Sequence, residues 1–266
     1  MIYNILIIGT GGTGGMLIGK LGRYLSGRIS GDDRFTVTLA DGDIVEKKNL
    51  LRQPFFPEDI GENKASILAE AITAAFGVPC QASTAYVDSV KDLENLFEAG
   101  AELYRSTVDN RYFNSLDCCY ILIGCVDNHA ARKVMHDYFV SCIQKHTRLI
   151  YIDSANEFSD GQVVFGATAG GKLQSPDRAM FYPDILYSDD KPRSEESCEV
   201  LNASAPQHIV VNDLMATIIL SGLSLIIENG ILPNGVVQAD ALRFSMSHMP
   251  YREGKKRAGR RKKDNQ

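Results

Sequence analysis

The chain has 266 residues, of which 44% are hydrophobic and 23% charged, enough for one large domain or two small ones around a buried core. These proportions exclude disorder over most of the chain and exclude a collagenous or low-complexity fibre. The formal charge of −5 is uneven: residues 252–266 hold eight Lys or Arg against two acids, leaving 20 basic and 31 acidic side chains in the first 251. An acidic body with a basic tail is not the charge of a nucleic-acid-binding domain. Residues 251–266 lack apolar periodicity and are expected to be a disordered tail, with residues 1–250 as the folded domain.

No run reaches the roughly 18 apolar residues of a membrane span; the closest, residues 214–227, suits a buried core helix. The first residues show no basic region or cleavage site of a secretory signal, so a cytoplasmic chain with reduced thiols is expected. The cysteines at 80, 118, 119, 125, 142 and 198 form no Cys-x-x-Cys pair, so no zinc is expected. His129, His136, His146, His208 and His248 have no ligand spacing and read as structural or surface residues.

In chain order, residues 2–8 form an apolar run that predicts a buried parallel strand. A glycine-rich turn follows, then a helix with apolar spacing over 16–29. Residues 35–40 read as a second strand, 50–61 as irregular, 65–76 as a helix, 81–87 as a third strand and 90–99 as a helix. Strands are expected at 120–124, 148–153 and 162–167, with a helix over 130–144. Residues 170–207 are rich in Pro, Ser, Asp and Glu and read as a long crossing loop. Residues 208–228 form one apolar helix, and 236–241 with 242–246 a closing hairpin. This alternation predicts an α/β, Rossmann-like doubly wound and mostly parallel sheet, finished by the crossover loop, the long buried helix and closing strands.

Gly9-x-Gly11-Gly12-x-Gly14 sits between a strand and a helix, where a glycine loop brings backbone close to phosphate and helix amides bind the anion. Asp41 ends the second strand and is placed to hold ribose hydroxyls. To this point a nicotinamide enzyme and an ATP enzyme fit equally. The next stretch, from Asp43 through Glu46, Asn49, Arg52 and Gln53 to Lys64, adds cations that a triphosphate needs and a dehydrogenase does not. Taken alone, those charges also fit an exposed loop. Asp127-Asn128 follows a strand end, where it fits a helix N-cap, a ligand site or both.

Four blocks together resemble the ThiF/MoeB/HesA family, relatives of ubiquitin-activating enzymes: Ile8-Gly-Thr-Gly-Gly-Thr-Gly14, Asp41-x-Asp-x-Val-Glu-x-x-Asn-x-x-Arg-Gln53, Asp59-Ile-Gly-x-x-Lys64 and Gly124-Cys-Val-Asp-Asn-x-x-x-Arg132. Within it, Ile123 to Asp127 and Gly161-Gln-Val-Val resemble the subgroup of the PRTRC gene system. The resemblance covers roughly residues 1 to 230. It implies that the glycine loop holds ATP, that Asp41 and Asp43 lie in the nucleotide site, that Asn49, Arg52, Gln53 and Lys64 line the phosphates, that Asp127 binds Mg²⁺, and that Asn128 and Arg132 border the site. The implied reaction adenylates the C-terminal glycine of a small ubiquitin-like or sulfur-carrier protein.

Cys198 stands where thiol-using members place theirs, and fits either an acyl or persulfide acceptor or a plain loop cysteine. Its neighbours Glu195, Glu196 and Glu199 disfavour the thiolate. The family implies a homodimer in which a helix before the first strand lends an arginine to the partner. The sequence given shows no such helix, so Arg23 or an arginine elsewhere is expected to substitute, or catalysis to be weaker. Two rivals remain open: a nicotinamide-dependent oxidoreductase and a non-catalytic nucleotide-binding scaffold. Asn212, inside the apolar helix, is expected to hydrogen-bond the crossing loop.

Overall fold

Seven successive buried residues, Ile2–Ile8, make the central strand β1, as an apolar run must when helices cover both faces of its sheet. A computed structural model describes residues 1–28, 33–107, 118–195 and 208–252. After β1 come α1 (Gly12–Ser26), β2 (Arg34–Ala40), α2 (Lys64–Phe76), β3 (Cys80–Ser83), α3 (Val90–Thr107), β4 (Cys118–Gly124), α4 (His129–Gln144) and β5 (Leu149–Asn156). The chain continues through β6 (Asp160–Ala169), β7 (Lys172–Ser175), α5 (Arg178–Phe181), α6 (Ile209–Asn229), β8 (Gly235–Asp240) and β9 (Ser245–Met249).

The described strands form one sheet in the order β3-β2-β1-β4-β5-β6-β8-β9, with β7 also on β6. The pairs from β3 to β5 are parallel; those from β5 onward are antiparallel. This is the expected doubly wound sheet with its closing strands. Alternation along β1 divides the core: Tyr3, Ile5 and Ile7 pack with α1, α2 and α6 on one face, and Leu6 and Ile8 with α3 and α4 on the other. The chain reverses direction across the sheet between β1 and β4, so a crevice opens at their carboxyl ends.

Helix α6 is long and apolar enough to cross a membrane by length and composition. It serves instead as a core helix, burying Val211, Met215, Ile219 and Leu223 among others beside α1 and β6.

Several boundaries differ from the sequence reading. Helix α3 runs on past residue 99 because Gly100 is a packing position: a Cβ there would lie 2.4 Å from Asn4 Oδ1, whose Nδ2 donates to Phe97 O at 2.8 Å. Helix α1 starts earlier than residue 16, inside the glycine motif, and ends at Ser26. Strand β3 stops at Ser83, which releases residues 84–89 toward the crevice. The closing hairpin turns later than expected, because the Asp240 carboxylate accepts the amides of Leu242 and Arg243, both at 3.0 Å, and places the second strand at 245–249. The crossing segment holds β7, α5 and short 3-10 turns at Pro183–Tyr187 and Arg193–Glu195. Its residues 196–207 lie outside the described residues, as do 253–266 of the basic tail.

Candidate active site

The carboxyl ends of β1, β2, β4 and β5 open on a cavity of about 340 Å³, within the size range of small-ligand sites. Gly9, Gly11 and Gly12 line it. Gly9 holds φ at +87°, and a Cβ there would meet Cys125 O at 2.7 Å, so the turn requires glycine. Gly14 lies outside the lining; a Cβ on it would sit 2.0 Å from Gly9 O, which makes it the contact that seats α1 against the loop. No side chain caps the start of α1, so its first amides stay available to an anion.

Asp41 ties the end of β2 to this loop. Its Oδ2 accepts from Thr10 N at 2.7 Å and Thr10 Oγ1 at 2.9 Å, and its Oδ1 from Asp43 N at 2.9 Å. A carboxylate has about four acceptor positions, so one remains for a ligand hydroxyl. Burial, reinforced by the charge of Asp43, pushes its pKa upward.

Asp43 faces the other way. Its Oδ2 accepts from Lys64 Nζ at 2.7 Å and its Oδ1 from Tyr86 Oη at 2.5 Å. Burial alone would raise its pKa, but the charge and hydrogen bond of Lys64 and the bond from Tyr86 outweigh it and hold the carboxyl below its ordinary value. Lys64 is the first residue of α2 and Asn63 is its N-cap, accepting Ser66 N at 3.0 Å while donating to Asp41 O at 2.8 Å and Asp43 O at 3.1 Å. One asparagine therefore starts the lysine helix and ties it to the acidic loop.

Arg52 and Gln53 both line the cavity, and Arg52 makes no side-chain hydrogen bond or ion pair among the described residues. Gln53 Oε1 is buried without a partner. Asn49 departs from the expectation. Its side chain is buried, accepts Glu46 N at 2.8 Å and closes the 3-10 turn Lys47–Leu51, and it is not among the cavity-lining residues. It shapes the loop that presents Arg52.

Across the crevice, Asn128 caps α4, accepting Ala131 N at 3.1 Å, and also lines the cavity. Asp127 is half-exposed and paired with Arg193 at 2.6 Å. Arg132 borders the cavity from a buried network. Asp153 sits beneath it, with Arg178 Nε at 2.7 Å, Arg132 Nε at 3.4 Å and Tyr151 Oη donating at 2.6 Å. Arg178 thereby clips the crossing segment to the end of β5. Burial and the Arg132 charge hold His129 below its ordinary pKa.

Sequence reasoning missed Thr10, Tyr86, Asn156, Arg193 and the actual role of Asn212. Among the described residues Asn212 makes no hydrogen bond to the crossing segment; it accepts from Thr13 Oγ1 at 3.4 Å and Asn156 Nδ2 at 2.7 Å, directly behind the glycine loop. The Asn63 cap had a readable local signal, an Asn just before the helix. Residues 156, 193 and 212 had none. Arg23, one of the alternatives for a substitute arginine, stacks 5.7 Å from the Phe76 ring centre and is not in the cavity lining. Cys125 lines the cavity, and burial together with Asp153 raises its pKa, so it stays a thiol. Cys198 lies outside the described residues.

The model of the ThiF family matches residues 3–259. The chain belongs to the ThiF family. No curated protein matches it. Among solved structures it is similar to PaaA, at 16% identity and a TM-score of 0.60 over 94% of this chain and 64% of PaaA. It is also similar to E. coli MccB solved with ATP, at 14% identity and a TM-score of 0.59 over 92% of this chain and 63% of MccB. MccB solved with AMPCPP and MccA gives 15% identity and a TM-score of 0.59, with the same coverage. This ThiF chain thus spans less than two thirds of the length of each, and the likeness is one of fold.

Proposed function

We propose that this ThiF-family chain binds ATP in the cavity and transfers its adenylyl group to a carboxylate, specifically the C-terminal glycine of a small ubiquitin-like or sulfur-carrier protein. The observation that carries this reading is that Arg52 and Lys64 line the same cavity as the glycine loop and Asp127. MccB, a structural neighbour, has been solved with ATP and with AMPCPP together with MccA, which supports a nucleotide and a small partner here.

In the proposed reaction a carboxylate oxygen bonds to the α-phosphorus, the bond from it to the oxygen bridging to the β-phosphate breaks, and pyrophosphate leaves with that electron pair. The chain supplies no nucleophile for this step. It supplies position through the glycine loop and positive charge for the departing phosphates through Arg52 and Lys64. Among the described residues no cluster of three or more His, Cys, Asp or Glu suits a metal. The single half-exposed carboxylate of Asp127 fits a Mg²⁺ that takes its other ligands from phosphates and water. When bound, Mg²⁺ neutralises phosphate charge.

Cys198 is the proposed acceptor of a second step, in which its sulfur bonds to the acyl carbon and AMP leaves; a Cys198→Ser variant would retain adenylate formation and lose the thioester. A homodimer, a cytoplasmic setting and membership of the PRTRC subgroup complete the proposal. The test is exchange of labelled pyrophosphate into ATP with a small glycine-terminated protein encoded beside this chain. Exchange supports the reading. Absence of exchange in protein that binds ATP defeats the catalytic claim, and stabilisation by NAD above that by Mg-ATP favours an oxidoreductase.

A further inference from the structure

The stretch ending in the turn Arg193–Glu195 reaches the cavity at Arg193 and is pinned to the start of α4 along its length. Lys133 Nζ donates to Ser188 O. Asp190 Oδ2 accepts from His129 N at 2.9 Å, and Asn128 Nδ2 donates to Lys191 O at 2.9 Å. Arg193 Nη2 then donates to Asp127 Oδ1 at 2.6 Å. Arg193 and Asp127 both line the cavity, as do Arg52 and Lys64 on the opposite side. The positive charge of Arg193 is also felt by Asp43 and Tyr86 across the mouth. With Arg132, four cationic side chains therefore line one cavity, borne by four separate stretches of chain.

The Asp127–Arg193 pair is a weak one. Asp127 is 51% exposed and Arg193 23% exposed, and solvent screens an ion pair that reaches water. A guanidinium on phosphate oxygens makes stronger, charge-assisted and often bidentate bonds. A polyphosphate entering the cavity thus offers Arg193 a better partner than Asp127.

We propose that Arg193 is a phosphate-binding residue of this cavity: on nucleotide entry its guanidinium exchanges the Asp127 carboxylate for the β- and γ-phosphate oxygens, which draws the strap over the nucleotide and frees Asp127. The inference rests on the reading of the cavity as an ATP site, and it deepens it by giving the crossing strap the task of distinguishing a triphosphate from a monophosphate. Asp190 and Lys191 hold the strap in place, and Arg193 reads the ligand.

The test is calorimetric binding of Mg–AMPCPP and of AMP to the full chain, compared between the natural protein, Arg193→Ala and Arg193→Lys. The expected result is that Arg193→Ala weakens AMPCPP about tenfold or more and AMP less than about twofold, with Arg193→Lys between, because it keeps the charge and loses the fork. A purely structural strap would weaken both ligands alike. An unchanged ratio of AMPCPP to AMP affinity in both variants, with the natural protein binding AMPCPP, overturns the assignment of Arg193 and leaves the ATP reading standing. Failure of the natural protein to bind AMPCPP overturns the ATP reading, and the assignment with it.

Discussion

Lys64 Nζ lies 2.7 Å from Asp43 Oδ2, and the two partners are unequally buried: 6% of the lysine side chain is exposed against 37% of the aspartate. Asp43→Asn therefore leaves an almost fully buried ammonium without its counter-charge. Such a loss costs about 3–5 kcal/mol in a fully buried pair, and about 2 kcal/mol is expected here because water reaches Asp43. The lowered pKa of Asp43 sets the sign of the pH effect. Its contribution is complete above the ordinary value of 3.8 and is lost as pH falls through the lower folded-state value. Urea unfolding at pH 7 and at about pH 3 should show the gap between natural protein and Asp43→Asn narrowing in acid.

Arg52 separates binding from stability. Its side chain has no partner among the described residues, so Arg52→Ala should change unfolding free energy by less than about 0.5 kcal/mol. The same substitution should weaken Mg-ATP binding by about tenfold to a hundredfold, the worth of one charged hydrogen-bonding group. Lys64→Ala should harm both, because it also leaves Asp43 beside Asp41. Parallel calorimetry and denaturation on the two variants would distinguish them.

Gly12 and Asn212 should be energetically coupled. A Cβ on Gly12 would fall 2.4 Å from Asn212 Nδ2, and Asn212 is held in place by Thr13 and Asn156. Gly12→Ala should therefore cost about 1–3 kcal/mol as overpacking. Much of that cost should vanish in an Asn212→Ala background, giving a coupling energy of about 1 kcal/mol or more in a double-mutant cycle. Simple additivity would show that the loop moves away on its own.

His136 Nδ1 lies 2.8 Å from Asp177 Oδ2, with Asp177 fully buried. The hydrogen bond that His136 donates to Asp177 raises the histidine pKa from 6.5 against the opposing effect of burial. The stability so contributed is complete below about 6.5 and disappears as pH rises through the folded-state value. His136→Asn should lower Tm more at pH 6 than at pH 9. Because Asp177 also caps α5 through Met180 N at 3.1 Å, this pair joins α4 to the crossing segment, and protease nicking of residues 178–195 should follow the same pH dependence.

The first half of the sheet was legible because its signals are local. The apolar run of β1, the glycine loop and the Asn128 cap each depend on residues a few positions apart, and backbone sterics and capping act over that range. Arg52, Gln53 and Lys64 were read as one group and do line one cavity. The same stretch misled at Asn49, whose amide side chain serves its own turn. Residue type alone does not separate a polar group that binds a ligand from one that satisfies nearby backbone. Gly100 misled in the opposite direction: read locally it ends a helix, whereas in the fold it admits Asn4.

The amino-acid order by itself determined the doubly wound sheet, the position of the glycine loop and the acidic and cationic cluster after β2, since strand periodicity and glycine chemistry are written in neighbouring residues. Tertiary structure alone decided that Arg193 meets Asp127 from 66 positions away, that Asn212 supports the glycine loop from 199 positions beyond Thr13, and that Asp153 gathers Arg132, Arg178 and Tyr151 beneath the cavity. Those pairings arise because burying polar groups obliges them to find partners, and which partners come within reach depends on how the sheet brings distant segments to one edge.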